Sequence, residues 1–258
     1  VIKIDPKDSS AFFNRGNCFS QLDKYQAAIN DYTEAIKLNP KDDQAFTNKG
    51  LLFIKFNKYE DAIQNFDQAI EINSHNSDAY FGKGNVLEKT NKYKEALIAY
   101  QKATELDPQN SNAFFGKGNV LVELGRNKEA LIAYDRGIAL DPKNTDAFAN
   151  RSLAFNKLGE YKEALKSANH AIELNSEEKW AFSQKGYALG KLGDYEEAIK
   201  AYDEYLKYYP QDSISWNSKG WVLEELGRNK EALQAYKKAL ELDSSNEYAK
   251  RNLKRLNK

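Results

Sequence analysis

The feature that most constrains this chain is its repetition. Almost the same letters, YFGKGNVL and FFGKGNVL, occupy residues 80–87 and 114–121, a spacing of 34 residues. A glycine-lysine stretch suggests a phosphate loop, but such a loop is used once, between a strand and a helix and with its own glycine spacing. Here the glycine belongs to a column: Gly16, Gly50, Gly84, Gly118, Ser152, Gly186 and Gly220. Twelve residues on, every unit has an alanine, from Ala28 to Ala232, and four residues before the glycine every unit has an aromatic, from Phe12 to Trp216. Pro6, Pro40, Pro108, Pro142 and Pro210 keep the same register. A short internal period of this kind predicts stacked supersecondary units rather than one globular core.

Within one unit, Ser111 to Asn144, the apolar residues Ala113, Phe114, Val120, Leu121 and Leu124 recur at helical spacing and the pattern stops at Gly125. Glycine suits a left-handed helix end, and Asp23, Asn57 and Asn91, which tolerate that conformation, fill the same place in earlier units. A second helical pattern runs through Ala130, Leu131, Tyr134, Ile138 and Leu140 and cannot continue past Pro142. Asn144 then offers an N-cap, as do Asp42, Asn76, Asn110 and Asp212 in equivalent places. Each unit is therefore expected to be two helices joined by a short turn. Gly118 and Ala130 would let the pair approach closely while Phe114 and Tyr134 fill the surrounding volume.

Composition excludes several functions. Lys plus Arg and Asp plus Glu both number 38, so no net field draws the chain to nucleic acid or an anionic membrane. No run approaches the ~18 apolar residues of a spanning helix, and no membrane insertion is expected. The chain reads as cytoplasmic. Cys18 is the only cysteine, which rules out an internal disulfide or cysteine-cluster metal site, and it falls in an apolar column with Leu52, Val86 and Val120, where a packed thiol is expected. No nucleophile stands with a base and an orienting acid, and the carboxylates Glu129, Glu163 and Glu231 are periodic, as a solvated helix face produces. No enzyme, cofactor or metal site is expected. A translation product starts with methionine and this sequence has none, so it is expected to be a segment of a longer product.

The columns of small residues, the aromatic before them, the tyrosines Tyr25, Tyr59, Tyr93, Tyr161 and Tyr195, the later alanines from Ala35 to Ala239 and the prolines resemble the tetratricopeptide repeat (TPR) family over the whole chain. The resemblance implies an all-α fold, a right-handed superhelical solenoid of antiparallel helix pairs. It divides the sequence into repeats at 9–42, 43–76, 77–110, 111–144, 145–178, 179–212 and 213–246, in one continuous solenoid domain. Residues 1–8 read as the end of a truncated preceding repeat and 247–258 as a capping helix. Asn127 and Asn229 replace the tyrosine, Gly137 and Tyr205 the later alanine, and Ser152 the glycine. Tyr205 is bulky enough to alter how the sixth unit meets its neighbour.

On the first helix of each unit, the residues pointing away from the stack are expected to line a concave groove. Phe13, Asn14 and Asn17 lie there in the first unit, with Ser10 and Gln21. The same places hold Asn48, Asn85, Asn119, Asn150 and Gln184 further on, and a carboxamide can both donate to and accept from a peptide main chain. This row resembles the asparagine ladders of peroxisomal import receptors and of O-linked N-acetylglucosamine transferases. Phe81 and Phe115, beside Gly82 and Gly116, read as apolar ledges over exposed backbone. Trp180, Tyr187 and Trp221, with Ile214, make the C-terminal end the most adhesive part. Trp216 belongs to the packing column.

A dicarboxylate clamp for chaperone tails would need cations at the Phe13, Asp78 and Gly82 places, and none is present, so an acidic chaperone C-terminus is not expected as a partner. The basic column from Arg15 to Lys219 reads as stems packed at the rim with their heads in water. The favoured expectation is an adaptor or scaffold whose groove binds a protein or peptide segment. The alternatives are the substrate-recruiting region of a larger, glycosyltransferase-like enzyme and a self-associating scaffold.

Overall fold

The structure, a computed structural model, describes residues 7–256. Most of the segment read as the end of a preceding repeat, and the last two residues of the capping segment, lie outside the described residues. The chain forms two compact units, Val1–Arg126 and Asn127–Lys258. The first holds α1 (Ser9–Gln21), α2 (Tyr25–Leu38), α3 (Asp43–Lys55), α4 (Tyr59–Ile72), α5 (Ser77–Lys89), α6 (Tyr93–Leu106) and α7 (Ser111–Glu123). The second holds α8 (Asn127–Leu140), α9 (Thr145–Leu158), α10 (Tyr161–Leu174), α11 (Lys179–Leu192), α12 (Tyr195–Tyr208), α13 (Ser213–Glu225), α14 (Asn229–Leu242) and α15 (Glu247–Leu256). No strand occurs among the described residues. Within each unit every helix packs on the next, and the first helices of successive pairs also touch: α3 on α5 and α5 on α7, then α9 on α11 and α11 on α13. Local helix pairs stacked in chain order are the arrangement the period required.

The helix ends follow the sequence signals. Asp23, Asn57 and Asn91 have φ of 55° to 58°, and Gly125, Gly159, Gly193 and Gly227 take the same left-handed place with φ of 74° to 89°. The carboxamide oxygen of Asn76 accepts from Ala79 N at 2.9 Å, and Asp42, Asn110, Asn144 and Asp212 cap their helices in the same way.

The core is built on one ring per pair. Tyr32, Phe66, Tyr100, Tyr134, Tyr202 and Tyr236 are the largest fully buried side chains. Five of these rings press on the glycine of the paired first helix: a Cβ on Gly16, Gly50, Gly84, Gly186 or Gly220 would lie 2.7–3.1 Å from the ring. Crowding of this degree explains the glycine column, because close-packed interiors do not yield to an extra methyl. The fifth pair departs from the pattern, with Ala168 in place of the ring and Ser152 in place of the glycine. The Ser152 hydroxyl is fully buried and donates to Ala164 O at 2.7 Å.

Two expectations change. Cys18 is exposed, whereas Leu52, Val86 and Val120 in its column are buried. Gly82 and Gly116 are not exposed backbone: they are buried, and a Cβ there would fall 2.5 Å and 2.4 Å from the rings of Phe66 and Tyr100. The rings of the preceding pairs lie against them, so the anticipated open ledge is filled.

The basic column is anchored at alternate members. Arg15 pairs with Asp31 through two bonds of 2.6 and 2.7 Å, Lys83 with Asp67 at 2.6 Å, Arg151 with Asp135 at 2.8 Å and Lys219 with Asp203 at 2.5 Å. These carboxylates are committed partners, and a polyanion track would have to displace them.

Candidate functional site

In the first unit, the first-helix asparagines are held by the buried tyrosines. Asn17 Oδ1 accepts from the Tyr32 hydroxyl at 2.7 Å and from Asn48 Nδ2 at 3.0 Å. Asn85 Oδ1 accepts from the Tyr100 hydroxyl at 2.7 Å, and the same hydroxyl lies 2.5 Å from Glu88 Oε2. Glu88 is also hydrogen-bonded to Asn119; burial raises its carboxyl above the usual range, and the bonds from Tyr100 and Asn119 oppose that rise. Asn14 is exposed, while Phe13 and Phe81 are half-buried against Tyr32 and Tyr100, with ring centroids 5.9 and 6.1 Å apart. Phe115 is buried. This face presents carboxamides already engaged in a network rather than a free ladder.

The second unit contains a pocket of about 440 Å³ between α9, α11, α12 and α13. Three of the groove residues anticipated from sequence meet there: Trp180, Gln184 and Tyr187, together with Ile214. Asn150 is half-buried on α9. Trp221 packs elsewhere: its ring lies against Gly190, where a Cβ would be 2.8 Å away, Lys191 Nζ stands 4.3 Å from its centroid, and its Nε1 donates to Glu225 at 3.0 Å.

The walls are aromatic. Trp180 is 36% exposed and meets Tyr205 edge to face at 6.2 Å. Tyr205 is the bulky residue in the alanine column; it is buried, stacks on Tyr209 at 5.0 Å and hydrogen-bonds to Asp212, and burial first of all pushes its phenol up. Asp212 is further occupied by Ile214 N at 3.0 Å and the Ser215 hydroxyl at 2.7 Å.

The floor is polar. Asn156 and Gln184 are 5% and 6% exposed, and Asn156 Nδ2 donates to Gln184 O at 3.0 Å and Gln184 Oε1 at 3.2 Å. Asn156 Oδ1 has no hydrogen-bond partner among the described residues. Sequence reasoning missed Asn156, Tyr202 and Asp212 as pocket residues, whereas Ser183 stands in the groove row that starts at Phe13. The signal that could have found them is Ala168, the lone small residue in a column of buried rings.

The repeated helix pairs, small-residue contacts and first-helix face define a helical-hairpin repeat protein. Tetratricopeptide repeat profiles match residues 47–111 and 183–247, and further such profiles match 9–42, 99–132 and 145–178. A TPR repeat profile matches 118–159. The chain belongs to the tetratricopeptide repeat family. No curated protein matches it by sequence. Among solved structures, it is similar to YrrB, described as a TPR protein with an unusual peptide-binding site, at 28% identity and a TM-score of 0.59 over 73% of this chain and 97% of that one. MamA matches at 24% identity and 0.56, over 65% and 92% of the two chains. A chain of the APC/C hetero-tetramer Cut9-Hcn1 matches at 18% and 0.76, over 98% of this chain and 48% of that one, a likeness of fold. The family implies a protein-interaction scaffold with protein or peptide partners, typically without catalysis. No helix among the described residues is long and apolar enough to cross a membrane.

Proposed function

We propose that this chain is an adaptor that binds a peptide or partner segment on the first-helix face and performs no chemistry of its own. The observation that carries this reading is the pocket of the second unit, where Trp180, Gln184 and Tyr187 converge from one helix face onto an open volume. Mostly apolar concave sites with a few placed polar groups are the usual form of a binding site. The peptide-binding site described for YrrB, a relative of the same family, supports the same reading.

Selection from a random-peptide display library tests it. Two variants are compared with the parent at equal helix content: Asn85→Ala with Asn119→Ala in the first unit, and Trp180→Ala with Tyr187→Ala in the second. Peptides enriched by the parent and lost by either variant support binding on the first-helix face. Equal retention by both variants places binding on another surface and overturns the reading.

A further inference from the structure

The second-unit pocket is built by correlated departures from the repeat, and they specify what it can hold. Glu88 and Glu224 occupy the place of Asn156, and each receives the hydroxyl of the tyrosine twelve residues on: Tyr100 on Glu88 at 2.5 Å, Tyr236 on Glu224 at 2.8 Å. Twelve residues after Asn156 stands Ala168. The donor that would satisfy Asn156 Oδ1 has been removed, and the oxygen is left buried and unpartnered. Burying an acceptor in this way costs ~1–3 kcal/mol unless something supplies an N–H or O–H. The place of Gln184 is glycine in the third and fourth repeats, where it lies under the ring of Phe66 or Tyr100. With Ala168 there is no such ring, and Gln184 adds a carboxamide whose Nε2 makes no hydrogen bond among the described residues. An acceptor and a donor side by side match one peptide unit.

Above this floor stand Trp180, Tyr187, Tyr205 and Ile214. A volume of about 440 Å³ takes a large side chain together with the main chain that bears it. The ionic groups in the wall are Asp212 and Lys157. Asp212 is engaged by Tyr205, Ser215 and Ile214 N, whereas exposed Lys157 has no carboxylate partner among the described residues. The charge left for a ligand to match is positive.

We propose that the pocket seats an aromatic residue of a partner peptide, with its main-chain amide on the Asn156 and Gln184 carboxamides and a following acidic residue facing Lys157. This assignment rests on the peptide-binding reading above and adds the anchor and its neighbouring charge.

The probes are three blocked, fluorescein-labelled heptapeptides: central tryptophan followed by aspartate, tryptophan followed by lysine, and alanine followed by aspartate. Fluorescence anisotropy with the whole chain should rank tryptophan-aspartate tightest, about tenfold or more over alanine-aspartate and about threefold or more over tryptophan-lysine. Ala168→Tyr combined with Ser152→Gly and Gln184→Gly rebuilds the ring arrangement of the third repeat and should abolish the preference for tryptophan. Trp180→Ala should also abolish it and serves if the triple variant does not fold. Lys157→Glu should reverse the aspartate-over-lysine order. Equal binding of the tryptophan and alanine peptides, an unchanged rank in Trp180→Ala, an unchanged charge order in Lys157→Glu, or no binding of any probe overturns the proposal. Display peptides lost only in the first-unit variant would then leave the general reading standing without this pocket.

Discussion

Asn156 donates to Gln184 twice, at the main-chain oxygen and at Oε1, yet its own Oδ1 receives nothing. The cause lies one helix away, where Ala168 replaces a tyrosine whose hydroxyl fills the equivalent need of Glu88 and Glu224. Removing one buried ring therefore has three consequences: a serine fits where glycine is otherwise required, a glutamine fits in the next repeat, and an acceptor is left unsatisfied. Stacked repeats transmit such a change only to their neighbours, so it stays local to the pocket.

Restoring the ring alone should be harmful. Ala168→Tyr meets Ser152, where the other repeats have glycine, and Gln184, whose place is glycine in the third and fourth repeats, and overpacking of a tight core destabilises by ~1–3 kcal/mol. Adding Ser152→Gly and Gln184→Gly should recover most of the loss, because the three sites form one packing unit and couple strongly. Urea unfolding followed by helicity measures this; additive losses across the three substitutions would show that the sites are independent.

Gly84→Ala makes the opposite test in the first unit. Alanine normally favours a helix over glycine by ~1 kcal/mol. At residue 84, however, the new methyl would lie 2.8 Å from the Tyr100 ring, which is tethered by its hydroxyl to Asn85 and Glu88. A net loss of ~1–3 kcal/mol is expected. Ser152→Ala, at the equivalent place opposite Ala168, should lose only the hydroxyl's bond to Ala164 O, ~1 kcal/mol. A stabilised Gly84→Ala in the same urea series would refute the account of the glycine column.

The fold was legible because every unit repeats the same short-range signals: left-handed places at Asp23 and Gly125, caps at Asn76 and Asn144, small residues at Gly84 and Ala96. The groove was legible only in part. Helical spacing places Trp180, Gln184 and Tyr187 on one face, but it does not say that Asn17 and Asn85 are bound by tyrosine hydroxyls. Nor does it reveal that Gly82 lies under Phe66 in the preceding pair, since that contact joins residues sixteen apart on different repeats.

Tyr205→Ala restores the column residue and should nevertheless destabilise the second unit. The substitution removes a buried ring that meets Trp180 at 6.2 Å and stacks on Tyr209 at 5.0 Å. Loss of a large buried aromatic costs ~3–5 kcal/mol when the site cannot collapse. Because Trp180 loses its edge-to-face partner, its fluorescence should shift to longer wavelength as water gains access. A variant with parental stability and an unshifted spectrum would show that Tyr205 does not brace the pocket.

Acid should act on the helix that carries Trp180. Glu178 caps α11, accepting from Trp180 N at 3.2 Å, and its carboxyl is raised above the usual range by burial and by a hydrogen bond shared with Asp146. A carboxyl whose pKa is higher folded than unfolded binds its proton more tightly in the fold. Its favourable contribution is complete below the unfolded value of ~4.3 and is lost as pH rises through the folded value. Glu178→Gln, which mimics the protonated form, should therefore melt higher than the parent at pH 7, with the difference shrinking towards pH 4. Comparing parent with variant at each pH cancels the titration of carboxylates that do not touch Glu178, so the difference reports Glu178 together with Asp146. A difference independent of pH, or one that grows on acidification, would assign Glu178 a capping role without the shared proton.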